Sequence, residues 1–199
     1  MRWISGLIAG GCLLASCVTA SVAADPVRIV IDDQAPALEK FAAQELKAMV
    51  AKLSKAEVKI SSRPPGQQQA QVIFLGSPRT NPAIAENLRG RWPKVSDQGI
   101  VIRSLEPKQA ILIGGGSPRA TLWAVYEFGY QQGIRYLLRE DIYPDPKPLK
   151  ITGLNYVNEP EFRTRSWRTI NDFAIGPESW SLAEHKQVIG QLAKQKFNQ

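Results

Sequence analysis

Cysteine is confined to positions 12 and 17 of this 199-residue chain. Both lie in a leader-like start, so the rest of the chain has no cysteine for an internal disulfide or a thiolate metal site. Histidine is as scarce. His185 stands alone, and one imidazole without a thiolate partner leaves a metal centre nothing to build on. It falls three residues after Leu182 and four before Ile189, on the apolar edge of a predicted helix, and reads as structural. Long apolar runs are missing too, the stretch over residues 4–15 being too short for a comfortable membrane span. Nor is there a block of like charge. The formal net charge is +7, but the lysines and arginines are spread among acids, which argues against a nucleic-acid surface and reads as a generally solvated one.

What is present is ordinary for a globular protein: 44% hydrophobic and 22% charged residues, in a length that suits one medium domain, or one domain and part of another. Met1-Arg2, the short apolar run and the small residues through Ala24 have the form of a secretory signal peptide. Two exits compete. Val22-Ala23-Ala24 suits cleavage before Asp25, making residues 1–24 the signal, while Leu14-Ala15-Ser16-Cys17 resembles a lipobox, with a lipoprotein signal of residues 1–16 and Cys17 lipidated. Either exit places the chain outside the cytoplasm, as a periplasmic, extracellular or lipid-anchored protein, and Cys17 is its one expected tie to a membrane.

The rest of the chain is organised around residues 110–128. Ala110-Ile111-Leu112-Ile113 reads as a strand buried on both faces, Gly114-Gly115-Gly116 turns the chain, and Ser117-Pro118 opens a helix with an N-cap and a proline at its first position. A glycine turn from strand to helix invites a phosphate. The spacing fails the test: Arg119 stands where a dinucleotide fold needs its third glycine, and no lysine followed by Ser or Thr closes a P-loop. The glycines are expected to let the helix sit close to the sheet, and no cofactor is expected.

Before this stretch, residues 27–31 read as a first strand, and Asp32-Asp33 as caps for an amphipathic helix whose stripe is Leu38, Phe41, Ala42, Leu46, Met49, Val50 and Leu53, with Glu39, Lys40, Glu45, Lys47 and Lys52 turned elsewhere. Short strands follow at residues 58–60 and 72–75, then an irregular excursion with a helical turn or two near residues 84–88. Residues 100–102 and 110–113 are spaced as an antiparallel hairpin. Gly133 ends the central helix, residues 134–138 give another strand, and a proline-rich boundary at residues 143–148 precedes a connecting strand within residues 150–156. Beyond Pro160, residues 162–171 read as a strand, Ser181 with Glu184 as a capping box, and Lys196-Phe197-Asn198 as the beginning of one more strand.

A lone strand and helix cannot bury their own apolar faces, so the tail makes sense only as the first unit of a larger βα structure, and the chain reads as cut short. The expected fold is therefore α/β (α+β). A mixed sheet with helices packed on it, residues 25–157, precedes the first βα unit of a truncated TIM barrel, residues 158–199.

With these pieces placed, the chain resembles the non-catalytic N-terminal α/β domain that precedes the barrel in bacterial α-glucuronidases and β-N-acetylhexosaminidase-like glycoside hydrolases. The carrying residues are the early helix over 37–53, residues 111–122, Val125-Tyr126-Glu127-Phe128, Gly133-Ile134-Arg135-Tyr136 and Pro160-Glu161-Phe162-Arg163. The resemblance implies an exported hydrolase of glycosidic bonds acting in polysaccharide breakdown, with its catalytic carboxyls on later barrel strands and none in this chain. It also implies substrate contact at Arg165, and at Asn171 and Asp172, which fall at the first barrel strand's carboxyl end. The partner is a poly- or oligosaccharide, reached through the missing barrel; no nucleic acid, metal or cofactor is implied. The alternative is a stand-alone exported module that binds carbohydrate or envelope components.

Overall fold

The computed structural model describes residues 25–66, 70–106, 109–169 and 176–199. Strands β1 (Val27–Val30) and β2 (Val58–Ser61) are joined by helix α1 (Ala37–Ser54). Strand β3 (Gln71–Leu75) leads through the short α2 (Pro82–Leu88) to β4 (Ile100–Ser104), and β5 (Ala110–Gly115) runs into α3 (Pro118–Gln131). A small hairpin of β6 (Arg135–Tyr136) and β7 (Asp141–Ile142) follows, then β8 (Asn155–Asn158) and, after a 3-10 turn at Pro177–Ser179, α4 (Leu182–Lys194).

Six strands form one mixed sheet in the order β2-β1-β3-β5-β4-β8. The first four are parallel, with Ile29 beside Ile73 and Ile73 beside Ile111; β4 and β8 add antiparallel. Alternate side chains go to opposite faces. Ile29, Ile73, Ile111 and Ile113 meet α1 and α3 on one side, while Val30, Phe74, Val101 and Leu112 meet Ile84 and Leu88 of α2 on the other. Helices on both faces explain why β3 and β5 read as unbroken apolar runs rather than alternating ones.

The Gly turn is packed, not open. A Cβ on Gly114 would lie 1.7 Å from the Gly76 carbonyl oxygen, and one on Gly116 would lie 1.8 Å from that of Ser96. Ser117 caps α3 by accepting from the Ala120 N–H at 3.2 Å, and its own hydroxyl donates to the Asp97 carbonyl. A side chain at Gly114, Gly115 or Gly116 would collide with neighbouring atoms, so the close-packing reading of the glycines holds.

Several expectations change in the structure. Asp32 and Asp33 do not cap α1, whose N-cap is Pro36; Asp32 Oδ1 instead accepts from the Gln34 N–H at 2.7 Å and shapes the turn before it. On α1 the buried stripe is Glu39, Ala42, Ala43, Leu46, Met49, Val50 and Leu53, so Glu39 is inside while Leu38 and Phe41 are exposed. The strand expected at residues 134–138 is only the two residues of β6, because its partner β7 is equally short. The connecting strand lies later than expected, at β8, on the edge beside β4.

Of the strand expected at residues 162–171, the described part carries no regular ladder. Its backbone does meet the chain's last residues. The Gln199 N–H donates to the Arg165 carbonyl at 3.3 Å and the Trp167 N–H donates to the Gln199 carbonyl at 3.0 Å, the exchange by which two parallel strands first join. Between them α4 has the expected capping box of Ser181 and Glu184, but buries Val188 and Gln191 and leaves Leu182 and Ile189 outside.

Candidate functional site

Two places gather polar groups. The first lies at the carboxyl ends of β1 and β3, where the chain leaves β1 for β2 on one side and returns to β3 on the other. In open α/β sheets such a switch of direction opens a crevice where ligands bind. Here the crevice is filled from within. Asn81 Nδ2 donates to the carbonyls of Val30 at 3.0 Å and Leu75 at 2.9 Å, tying the two strand ends together, while its Oδ1 caps α2. Beside it Glu39, 1% exposed, accepts at Oε1 from the hydroxyls of Thr80 at 3.2 Å and Thr121 at 3.0 Å. Its other oxygen is buried without a hydrogen-bonding partner. Burial pushes the Glu39 carboxyl above the ordinary glutamate range, and the two threonine hydroxyls only partly oppose that. The cluster stitches α1, α3 and the β3–α2 loop together; composition hid it, because a glutamate on a helix ordinarily faces water.

The second place is the seam between the sheet domain and the C-terminal segment, centred on Arg165. Its Nε donates to the Lys196 carbonyl at 2.8 Å, and Nη1 donates to the Phe162 carbonyl at 2.7 Å and to Gln98 Oε1 at 2.9 Å. The guanidinium lies 4.9 Å from the centre of the Trp123 ring, itself buried in α3. Loss of water lowers the Arg165 pKa from the usual arginine range without removing its charge. Asn198 completes the ring: its Oδ1 accepts from the Arg165 N–H at 2.8 Å and its Nδ2 donates to Gln98 Oε1 at 3.1 Å and to the Arg163 carbonyl at 2.8 Å. Thus Arg165 sits at the meeting of the two regions. Asn171 and Asp172 lie outside the described residues.

Further along the seam, Asp141 of β7 takes Lys194 at 2.6 Å and Gln191 at 2.9 Å from α4, and Glu127 of α3 takes Lys196 at 2.8 Å. A groove of about 410 Å³ remains between α1, α3 and α4, with Phe41, Glu45, Arg139, Lys186 and Gln187 on its walls. His185 packs its ring 5.5 Å from that of Trp180, in keeping with a structural part. Trp123 is core and Trp167 packs edge-on to Phe197. Among the described residues no group of three or more His, Cys, Asp or Glu could hold a metal ion, and no helix is long and apolar enough to cross a membrane.

Comparison with known proteins agrees with this architecture. A family model described as the N-terminus of glycosyl hydrolase family 67 matches residues 15–128. Among solved structures, a family GH115 4-O-methyl-alpha-glucuronidase with specificity for decorated arabinogalactans superposes with a TM-score of 0.60 at 11% identity, covering 88% of this chain and 24% of that one. The Streptomyces plicatus N-acetyl-beta-hexosaminidase in complex with Thio-NAglucal gives 0.43 at 13% identity, over 71% of this chain and 25% of that one. The chain thus spans about a quarter of the length of these structures. No curated protein sequence matches it.

Proposed function

Because the chain belongs to the family of glycosyl hydrolase family 67 N-termini, we propose that it is the accessory α/β domain of an exported glycoside hydrolase, joined near residue 158 to the first βα unit of a (β/α)8 barrel. The acids that cleave the glycosidic bond, in this reading, stand on barrel strands beyond these 199 residues, and the substrate is a poly- or oligosaccharide of the α-glucuronidase or hexosaminidase kind.

The observation that carries the reading is the parallel exchange between Arg165, Trp167 and Gln199, with α4 as the connection. Parallel neighbours need a crossover, usually a helix, and strand, helix and strand repeated is how a barrel is made. The filled crevice of the sheet domain supports the same division of labour, since Asn81 and Glu39 occupy the place where an α/β domain would take its own ligand.

Reading the gene beyond codon 199 and assaying the longer protein on aryl α-glucuronides and aryl N-acetylglucosaminides tests this directly. Hydrolysis is expected from the longer protein and none from the 199-residue chain; unrelated sequence downstream, or no turnover of any glycoside, refutes it. Mass spectrometry of the mature N-terminus distinguishes a start at Asp25 from a lipidated Cys17, and an unprocessed chain would overturn export.

The groove beside α4 favours a second reading, a module that holds saccharide by itself. Phe41, 50% exposed, offers a face for a sugar ring, and Arg139 and Lys186 could meet a uronic carboxylate. Binding of acidic oligosaccharide to the 199-residue chain, abolished by Phe41→Ala, would support it; no binding at millimolar ligand would dismiss it.

A further inference from the structure

Arg165 does more than touch both regions: its contacts close a loop around one turn of backbone. Lys196, just after α4, adopts left-handed backbone with φ of 65°, a conformation unfavourable for a side-chain-bearing residue and so in need of support from outside. It is held at both ends, its carbonyl by Arg165 Nε and its ammonium by Glu127 of α3. That turn sets the direction in which residues 197–199 leave the helix. The same arginine, through its own N–H and C=O, then receives Asn198 and Gln199 as neighbours.

We propose that Arg165 is a positioning residue which clamps the first two barrel strands in parallel register against Gln98 and Trp123, so that the α/β domain is the template on which the barrel begins to form. The inference rests on reading residues 158–199 as a barrel start, and it assigns to Arg165 a mechanical part in place of the sugar contact that resemblance implies. The chemistry favours a strut: Nε and Nη1 already serve three protein acceptors, two of them main-chain carbonyls, that of Phe162 just ahead of Arg165 and that of Lys196 in the turn leading to Asn198 and Gln199. Only a planar fork can address all three at once; an ammonium is a point donor on a flexible stem.

The test is amide hydrogen exchange by NMR on the full 199-residue chain, comparing Arg165→Gln, Arg165→Lys and Gln98→Ala with the parent. Hydrogen bonds to a charged group are worth enough that exchange at Trp167, Asn198 and Gln199 should quicken by about tenfold or more in both Arg165 variants, with Lys giving no rescue, and by about threefold in Gln98→Ala. Exchange in β3 and β5 should stay as it was, which separates undocking from general unfolding. Unchanged protection at Trp167 and Gln199, or full rescue by lysine, overturns the clamp. So does loss of binding to N-acetylglucosamine or glucuronic acid with protection intact, since that would make Arg165 a ligand residue. A reading frame without a barrel would sink the proposed function while leaving this exchange result standing, so the two failures are distinguishable.

Discussion

Helices α3 and α4 are nearly equal in length, and they are held by opposite means. Residues 120–129 of α3 are buried without interruption, whereas α4 buries Val188 and Gln191 and turns Leu182 and Ile189 outward at 70% and 64% exposure. The first helix is fixed by packing between sheet and α1. The second is fixed by partners it must find singly, Asp141 for Gln191 and Lys194 and the Arg139 carbonyl for Gln187, while Glu127 holds Lys196 just past its end. An α/β layer buries its apolar residues between sheet and helices; a helix docked by polar groups keeps apolar side chains outside, on the face that the proposed barrel would cover.

The contrast breaks most severely in the sheet domain. Phe128→Ala removes a fully buried ring from α3 and should cost about 3–5 kcal/mol of global stability, read by urea unfolding of the sheet domain. A loss below 1 kcal/mol would mean that the packed layer is not what holds this region. At the seam the effect should be smaller and local. Asp141→Ala takes away the acceptor shared by Lys194 and Gln191, a pair partly shielded from water, and should weaken docking of α4 by roughly 1–2 kcal/mol. Exchange of the α4 amides should report that loss while those of β5 hardly move.

Glu39 offers a subtler probe of the closed region. Its folded pKa lies above the unfolded value, so the folded state holds the proton more tightly, and this contribution to stability is complete at low pH. It is lost as pH rises from 4.5 through the raised folded value. Thermal midpoints of the parent should therefore fall across that window relative to Glu39→Gln, which cannot ionise there; parallel curves would show that burial does not perturb Glu39.

How much of this could be read in advance depended on whether residue type and residue position agreed. Along residues 110–128 they did: apolar run, glycines, Ser-Pro and apolar helix all favour one local structure, and the fold has it. On α1 they conflicted. Leu38, four before Ala42, fits the three-and-four spacing as well as Glu39, three before Ala42 and four before Ala43, so residue type decided for the leucine, and the structure buries the glutamate instead. Only Thr80 and Thr121, forty-one and eighty-two residues away, make its burial tolerable, and nothing local announces them. Arg165 was legible as a residue of interest because of its place in the first barrel-like segment. Its partners were not, because Gln98 and Lys196 come from opposite sides in sequence.

The smallest expected effect is the most informative about the outward face of α4. In the 199-residue chain Ile189 is mostly in water, so Ile189→Ser should change stability by no more than about 0.5 kcal/mol, measured by denaturant unfolding. If further barrel strands cover this face in a longer protein, the same substitution there should cost about 2 kcal/mol or more, because a branched aliphatic chain would be lost from a packed layer and a hydroxyl buried in its place. The two values differ only if something covers Ile189. Equal and negligible effects in both chains would leave α4 a surface helix with a greasy exterior, and the likeness between its exposed face and an unfinished layer would carry no weight.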